Sequence, residues 1–247
     1  MKINICIPTF GRSEIKTLKI LSAFNKEDIT IFPNNYGNDI NEECDKLKLK
    51  YPEYKIVGLN TKGIGEARNG ILDYHKIGER ILMFDDDVEK FYRLGLKGLK
   101  KSLVEMNPEE IKTFVEDAFN KIEKFETKLW GIYPVENAFY MSQKLNPKGF
   151  IIGTVSGIIK SQLRYDPEVS FKEDYDFTIQ HILKFKKVCR FENITVKAGH
   201  YSNAGGVCQQ RKENPEREGE VAERLMQKYP GVVIYNSKRE NEILINL

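Results

Sequence analysis

Three consecutive carboxylates, Asp85, Asp86 and Asp87, follow the apolar run Ile81-Leu82-Met83-Phe84. Such a run reads as a buried strand, so the carboxylates emerge at its carboxyl end, where open α/β sheets bind ligands. Alternation along a strand would turn Asp85 and Asp87 one way and Asp86 the other. Like charges this close repel unless a cation neutralises them, and oxygen-only ligands select Mg²⁺ or Mn²⁺. A solvated acidic turn is the plainer reading, and the continuous apolar strand before it favours the metal site.

A second acidic group, Phe171-Lys172-Glu173-Asp174-Tyr175-Asp176-Phe177, leads into a helical stretch over 177–183. Acids at a helix start complement its dipole. One of them beside an acceptor hydroxyl would also serve as a general base. Two separate carboxylate groups could instead divide acid and base roles in a hydrolase, although the tripled charge of the first suits a metal better.

Between strand 55–59 and the next strand lies Gly63-Ile64-Gly65-Glu66-Ala67-Arg68-Asn69-Gly70, which opens a helix. It has the outline of a dinucleotide-binding glycine motif, but Arg68 stands where a third glycine would allow close helix–strand packing. An arginine at a helix start near the acidic strand end suits a phosphate or a nucleotide base. A surface arginine in a glycine-punctuated loop is the bland alternative. Further on, Gly199-His200-Tyr201-Ser202-Asn203-Ala204-Gly205-Gly206 holds one of three histidines. His200 could complete a metal shell, and the loop's N–H groups could cradle phosphate; a purely structural histidine is the other option. His75 and His181 have no assignable role.

The elements that must position these residues alternate in the first half of the chain. Strands are expected at 3–7, 29–32, 55–59 and 81–84, with helices at roughly 13–24, 39–50 and 65–77. That rhythm implies right-handed βαβ crossovers and a mostly parallel sheet. Asn107-Pro108-Glu109-Glu110 starts a helix whose Ile111, Phe114, Val115, Ala118, Phe119, Ile122 and Phe125 form one apolar face. Later strands are expected at 150–159 and around 188–196, then an amphipathic helix at about 219–229 that ends at Tyr229-Pro230-Gly231. There is no internal repeat, linker or compositional break, so one domain is expected.

The 247 residues are 40% hydrophobic and 30% charged, which excludes a disordered or collagen-like chain. No apolar run is long enough for a membrane-spanning helix, and the first residues do not read as a signal peptide, so a cytoplasmic protein is expected. Cys6, Cys44, Cys189 and Cys208 are scattered without a CxxC pair, as reduced thiols would be. A net charge of +3 does not announce a nucleic-acid partner. Two local groups could still track phosphates: Lys90, Arg93, Lys97, Lys100 and Lys101 with Phe91 and Tyr92 interleaved, and Lys184, Lys186, Lys187 and Arg190. Lysine-rich solvated faces are the alternative.

Taken in order, CIPTFGR, GIGEARN, the strand ending FDDD, FKEDYDF and the loop histidine resemble metal-dependent nucleotide-sugar glycosyltransferases of the GT-A fold. The resemblance covers roughly residues 1–210. Within that fold the chain is similar to the phage TET-associated glycosyltransferases, linked to sugar addition onto hydroxymethylated pyrimidines in DNA. The resemblance implies a GT-A type α/β domain, its nucleotide-binding half at about 1–90 and its acceptor half at about 91–247. It implies that Thr9 and Arg12 line the nucleotide pocket, that Arg68 contacts the nucleotide and that Asn69 shapes the turn. Asp85 and Asp87 would hold a Mn²⁺ or Mg²⁺ ion bound to the donor diphosphate and touch the ribose, with His200 as third ligand. Asp86 would lie near the sugar, Asp174 would be the catalytic base, and Glu173 would orient acceptor or sugar. Many families of the fold carry an acid after the second strand; here Asn34 and Asn35 stand instead, so a UDP-sugar donor is favoured by family alone. A glycosyltransferase acting on a glycan, lipid or small molecule is the alternative. A Mg²⁺-dependent nucleotidyltransferase and a non-enzymatic nucleic-acid-binding module stand further off.

Overall fold

A computed structural model describes residues 2–12, 14–34, 39–199, 216–237 and 242–246. The first half runs β1 (Ile3–Thr9), β2 (Ile29–Pro33), α1 (Ile40–Lys50), β3 (Lys55–Ile56), α2 (Ile64–Tyr74) and β4 (Arg80–Phe84). A hairpin follows, β5 (Val88–Lys97) and β6 (Lys100–Glu105), then α3 (Pro108–Lys124). After it come β7 (Leu129–Ile132), β8 (Leu145–Asn146), β9 (Val155–Ile159), α4 (Glu173–Phe185), β10 (Cys189–Phe191) and β11 (Ile194–Ala198). The last described elements are α5 (Arg217–Lys228), β12 (Val233–Tyr235) and β13 (Ile243–Ile245).

Eight strands form one sheet in the order β3-β2-β1-β4-β9-β7-β10-β8. Pairing is parallel from β3 through β4 and between β7 and β10, and antiparallel at β4–β9, β9–β7 and β10–β8. This is the α/β, mostly parallel sheet that the strand–helix rhythm predicts. The chain leaves β1 toward β2 on one side and returns to β4 on the other, so a topological switch point lies between the carboxyl ends of β1 and β4. Because β9 runs antiparallel, its first residue Val155 pairs with Phe84 at that same end.

Period-two alternation sorts the sheet's side chains into two cores. Ile5, Ile7, Leu82 and Phe84 face α3 and Trp130, while Cys6, Ile81 and Met83 pack with Ile71 and Leu72 of α2 and Phe177 and Ile182 of α4. The α3 helix begins with the capping box that its sequence announces: Asn107 accepts from the Glu110 N–H, and Glu110 accepts from the Asn107 N–H. Its buried face holds Ile111, Val115, Ala118, Phe119 and Ile122, whereas Phe125 lies exposed at the C-cap. Among the described residues no helix is long and apolar enough to cross a membrane.

Several boundaries differ from expectation, each for a tertiary reason. Residues 13–24 hold no α-helix where described; Lys16–Lys19 makes a single 3₁₀ turn, because buried Thr17 is drawn onto the acidic turn. The run 150–159 is extended only from Val155, since Ile151 instead donates its N–H to Thr178 Oγ1. The run 188–196 splits at Glu192-Asn193 into β10, in the large sheet, and β11, which pairs with β5 in a separate three-stranded sheet. The β5–β6 hairpin has no counterpart among the strands expected from sequence.

Gly157 lies directly under the Trp130 indole, where a Cβ would run into the ring. Gly157→Ala is expected to destabilise the fold by about 1–3 kcal/mol, read from urea denaturation. His181 is fully buried, its Nδ1 bonded to the Phe177 carbonyl at 2.8 Å, and burial lowers its pKa from 6.5 to about 4. Its neutral form therefore contributes stability that is complete above pH 6.5 and lost as pH falls toward 4. The urea midpoint should drop across that window, and less steeply in His181→Leu.

Candidate active site

The three carboxylates sit where β4 ends. The chain turns immediately after Phe84, so strand alternation no longer applies, and their partners group them differently from expectation. Asp85 faces Arg68, with Nη2 at 3.3 Å. Asp86 and Asp87 share Arg12, at 3.6 and 3.7 Å, and Asp86 also accepts from Thr9 Oγ1 at 2.6 Å. Thr9 is the last residue of β1, and Arg12 follows Gly11, whose φ of 59° turns the chain back over the strand end.

Burial pushes the Asp86 carboxyl up to about 7; Asp87 and Asp85 add to this, while Thr9 and Arg12 pull it back. Burial, more than the charges of the neighbouring acids, sets this shift. Oxygen donors of this kind suit a hard divalent cation. Among the described residues no three His, Cys, Asp or Glu side chains converge to hold a metal ion. The expected third ligand, His200, lies outside the described residues, as does Asn35. The chain does return to the site just before it: the Gly199 N–H donates to the Asp87 carbonyl at 3.3 Å.

Helix α4, packed on the same face of the sheet as α2, brings in the second acidic group. Glu173 accepts from Arg68 Nη1 at 3.0 Å, so one guanidinium, only 3% exposed, joins Asp85 to Glu173. Burial works against its charge, but Glu173 and Asp85 outweigh burial and hold the guanidinium above its ordinary pKa. Sequence predicts an arginine facing the nucleotide; in the structure it lies between the two acidic groups, with its Cζ 5.6 Å over the Tyr165 ring. Asn69 fastens that floor by exchanging two hydrogen bonds with the Tyr165 backbone, at 2.8 and 2.9 Å.

Asp174 is half-buried and accepts from the Gly153 and Tyr175 N–H groups, at 3.1 and 2.9 Å. Burial, reinforced by Glu173, raises its carboxyl to about 7 against the pull of Arg68 and the two N–H groups. Asp176 has no share in the site. Fully buried, it accepts from Lys228 Nζ and the Tyr229 hydroxyl, both at 2.7 Å, and so bolts α5 to α4. Asn34 is buried beside Thr9, whose carbonyl accepts its N–H at 3.0 Å.

Thr9, Arg12, Arg68, Asp85, Asp86, Asp87, Glu173 and Asp174 are therefore brought to one end of the sheet. Sequence reasoning missed two residues that shape the place. Thr17 Oγ1 donates to the Asp85 carbonyl at 2.5 Å and accepts from the Val88 N–H at 3.0 Å, spanning the acidic turn. Gly153 backs onto the Arg68 guanidinium so closely that a Cβ would collide with it. A glycine inside an apolar run is a signal for such close approach, whereas nothing local marks Thr17.

Gly153→Ala should displace Arg68 and cost about 2 kcal/mol in urea denaturation, comparable to other overpacking. Arg68→Met, which strands two carboxylates, should cost about 3–5 kcal/mol. Arg68→Lys should not restore it, because an ammonium lacks the fork that reaches both partners.

A comparison with protein families matches residues 3–206 to the TET-associated glycosyltransferase model. No curated protein matches the chain. Among solved structures, a protein assigned as a nucleotide-diphospho-sugar transferase from Desulfovibrio desulfuricans G20 is 12% identical, with TM-score 0.44, covering 87% of this chain and 96% of its own. One assigned as a glucose-1-phosphate thymidylyltransferase from Bacillus anthracis is 11% identical, with TM-score 0.49, covering 87% and 95%. Neither likeness is close enough to bear on function. With the family's span running from β1 past β11, the chain belongs to the TET-associated glycosyltransferases and is a glycosyltransferase.

Proposed function

We propose that the enzyme moves a sugar from a nucleotide-sugar donor to the hydroxyl of a 5-hydroxymethyl-pyrimidine in DNA, with inversion at the anomeric carbon. The observation that carries this reading is the Arg68 bridge, which sets the Glu173–Asp174 pair against the Asp85–Asp87 turn at the switch point of a glycosyltransferase. Donor recognition falls to Thr9 and Arg12 at the end of β1. The acceptor side falls to α4.

In this reading Asp174 takes the acceptor's hydroxyl proton as that oxygen bonds to the anomeric carbon. The bond from that carbon to the donor phosphate oxygen breaks, and a nucleoside diphosphate leaves. A carboxyl raised to about 7 is a stronger base than an ordinary aspartate yet is half ionised near neutrality. Glu173, fixed by Arg68, orients the sugar or acceptor, and Asp86, held by Thr9, lies on the sugar's side. Asp85, Asp87 and His200 would hold a Mn²⁺ or Mg²⁺ ion, which when bound offsets negative charge on the leaving diphosphate. The donor is assigned as a UDP-sugar on family grounds, and a cytoplasmic location is proposed with it.

The test is incubation with nucleotide sugars, Mn²⁺ or Mg²⁺, and paired oligonucleotides holding cytosine or 5-hydroxymethylcytosine, read by mass spectrometry. A sugar mass is expected on the hydroxymethyl oligonucleotide alone, and chelation by EDTA should abolish it. Donor cleavage without a DNA product would move the acceptor to a glycan, lipid or small molecule. Asp174→Asn should lower kcat about 10²–10⁴-fold, and kcat/KM of the native enzyme should rise with pH to a plateau above about 7. A profile flat between pH 6 and 8 would remove Asp174 from the base's role.

A further inference from the structure

The exposed apolar side chains are not evenly spread. Leu96 and Leu99 are exposed at the far end of the β5–β6 hairpin, and Phe139 and Tyr140 are exposed in the loop tied to it. β5 starts at Val88, next to the acidic turn, and its ten residues carry the chain on the order of 30 Å away from it. The hairpin turns at Gly98, whose φ is 62°. The loop is tied to it: Lys101 Nζ donates to the Phe139 and Met141 carbonyls at 3.2 and 2.7 Å, and Gln143 Nε2 donates to the Leu94 carbonyl at 3.4 Å.

Phe139 and Tyr140 are 74% and 64% exposed, their rings edge to face with centroids 5.0 Å apart. Residues 94–104 and 137–144 hold Lys97, Lys100, Lys101 and Lys144, and the acids that flank them are Glu105, paired with Lys90, and exposed Glu136, so the face is net basic. This redraws the basic group expected from sequence. Lys90 is paired with Glu105, Arg93 lies against Glu110, and Phe91 is fully buried; the exposed lysines are at the tip, and the available aromatics come from another segment.

We propose that this face binds single-stranded nucleic acid: Phe139 and Tyr140 stack on bases while Lys97 and Lys100 neutralise flanking phosphates. Both chemistries are required together, since an apolar partner would leave the lysines uncompensated. A second copy packed face to face would set lysine against lysine. The proposal rests on the nucleic-acid acceptor above and deepens it: the acceptor is gripped far from the reacting hydroxyl, as a strand rather than as a nucleoside.

Fluorescence anisotropy with an unmodified, labelled 20-nucleotide oligothymidylate tests it on the full chain. Phe139→Ala/Tyr140→Ala should raise Kd about 10-fold or more without changing the circular dichroism or Tm, and Phe139→Trp/Tyr140→Trp should restore binding. Lys97→Gln/Lys100→Gln should flatten the salt dependence by roughly 1.4 in log–log slope. No binding by the native protein, or equal binding by the alanine variant, overturns the proposal. So does a native dimer that the alanine variant converts to monomer, which would place a second copy on this face. The two readings fail separately. Sugar transfer to the hydroxymethyl oligonucleotide with equal binding in all variants keeps the acceptor and removes this face; aromatic-dependent binding without any sugar transfer does the reverse.

Discussion

Five carboxylates converge at one end of this sheet, and without opposite charge that end would push itself apart. Arg68 supplies the charge at the point where it matters most, between the turn after β4 and the first residue of α4. Its position is over-determined. Tyr165 lies beneath the guanidinium, Asn69 fixes Tyr165, and the absence of a side chain at Gly153 leaves the space. A buried ion pair of this kind is weak evidence for stability, because desolvation offsets much of the attraction. Its value here is geometric: it fixes two acidic groups, 88 positions apart between Asp85 and Glu173, to a single separation.

Around that bridge the carboxylates are divided by environment. Asp85 and Glu173 are bound to Arg68, and Asp86 and Asp87 lie against Arg12. Asp174 sits among backbone N–H groups where burial raises its carboxyl to about 7. Burial raises Asp86 as well as Asp174 to about 7, so the carboxylates differ in their partners: arginines for Asp85, Asp86, Asp87 and Glu173, backbone N–H groups for Asp174. The backbone of the acidic turn is held from behind by the Thr17 hydroxyl, which bonds to both of its ends.

The proposed grip on a nucleic-acid strand fits this division. The site end is acidic and would repel a polyanion, whereas the hairpin tip is basic and aromatic and stands on the order of 30 Å along β5 from it. Separation of the two lets backbone affinity reside where it does not compete with binding of the donor phosphates.

The sequence alone determined the parts that depend on local pattern. Apolar runs announce β1, β2 and β4, the capping box announces α3, and a triplet of acids after a buried strand puts the candidate site at the carboxyl end of the sheet. The resemblance named a family that the match over residues 3–206 bears out. What sequence could not give was set by contacts between distant segments. Arg68 turns inward because Glu173 arrives beside it, 105 positions later. Thr17 interrupts a helical pattern because an acidic turn 68 residues on needs its hydroxyl. Asp86 joins Asp87 rather than opposing it because the strand ends at Phe84 and the chain turns through the acids themselves. Periodicity reports only which face of an element is apolar. Which charge meets which is decided when the elements pack, by the need to compensate every carboxylate taken out of water.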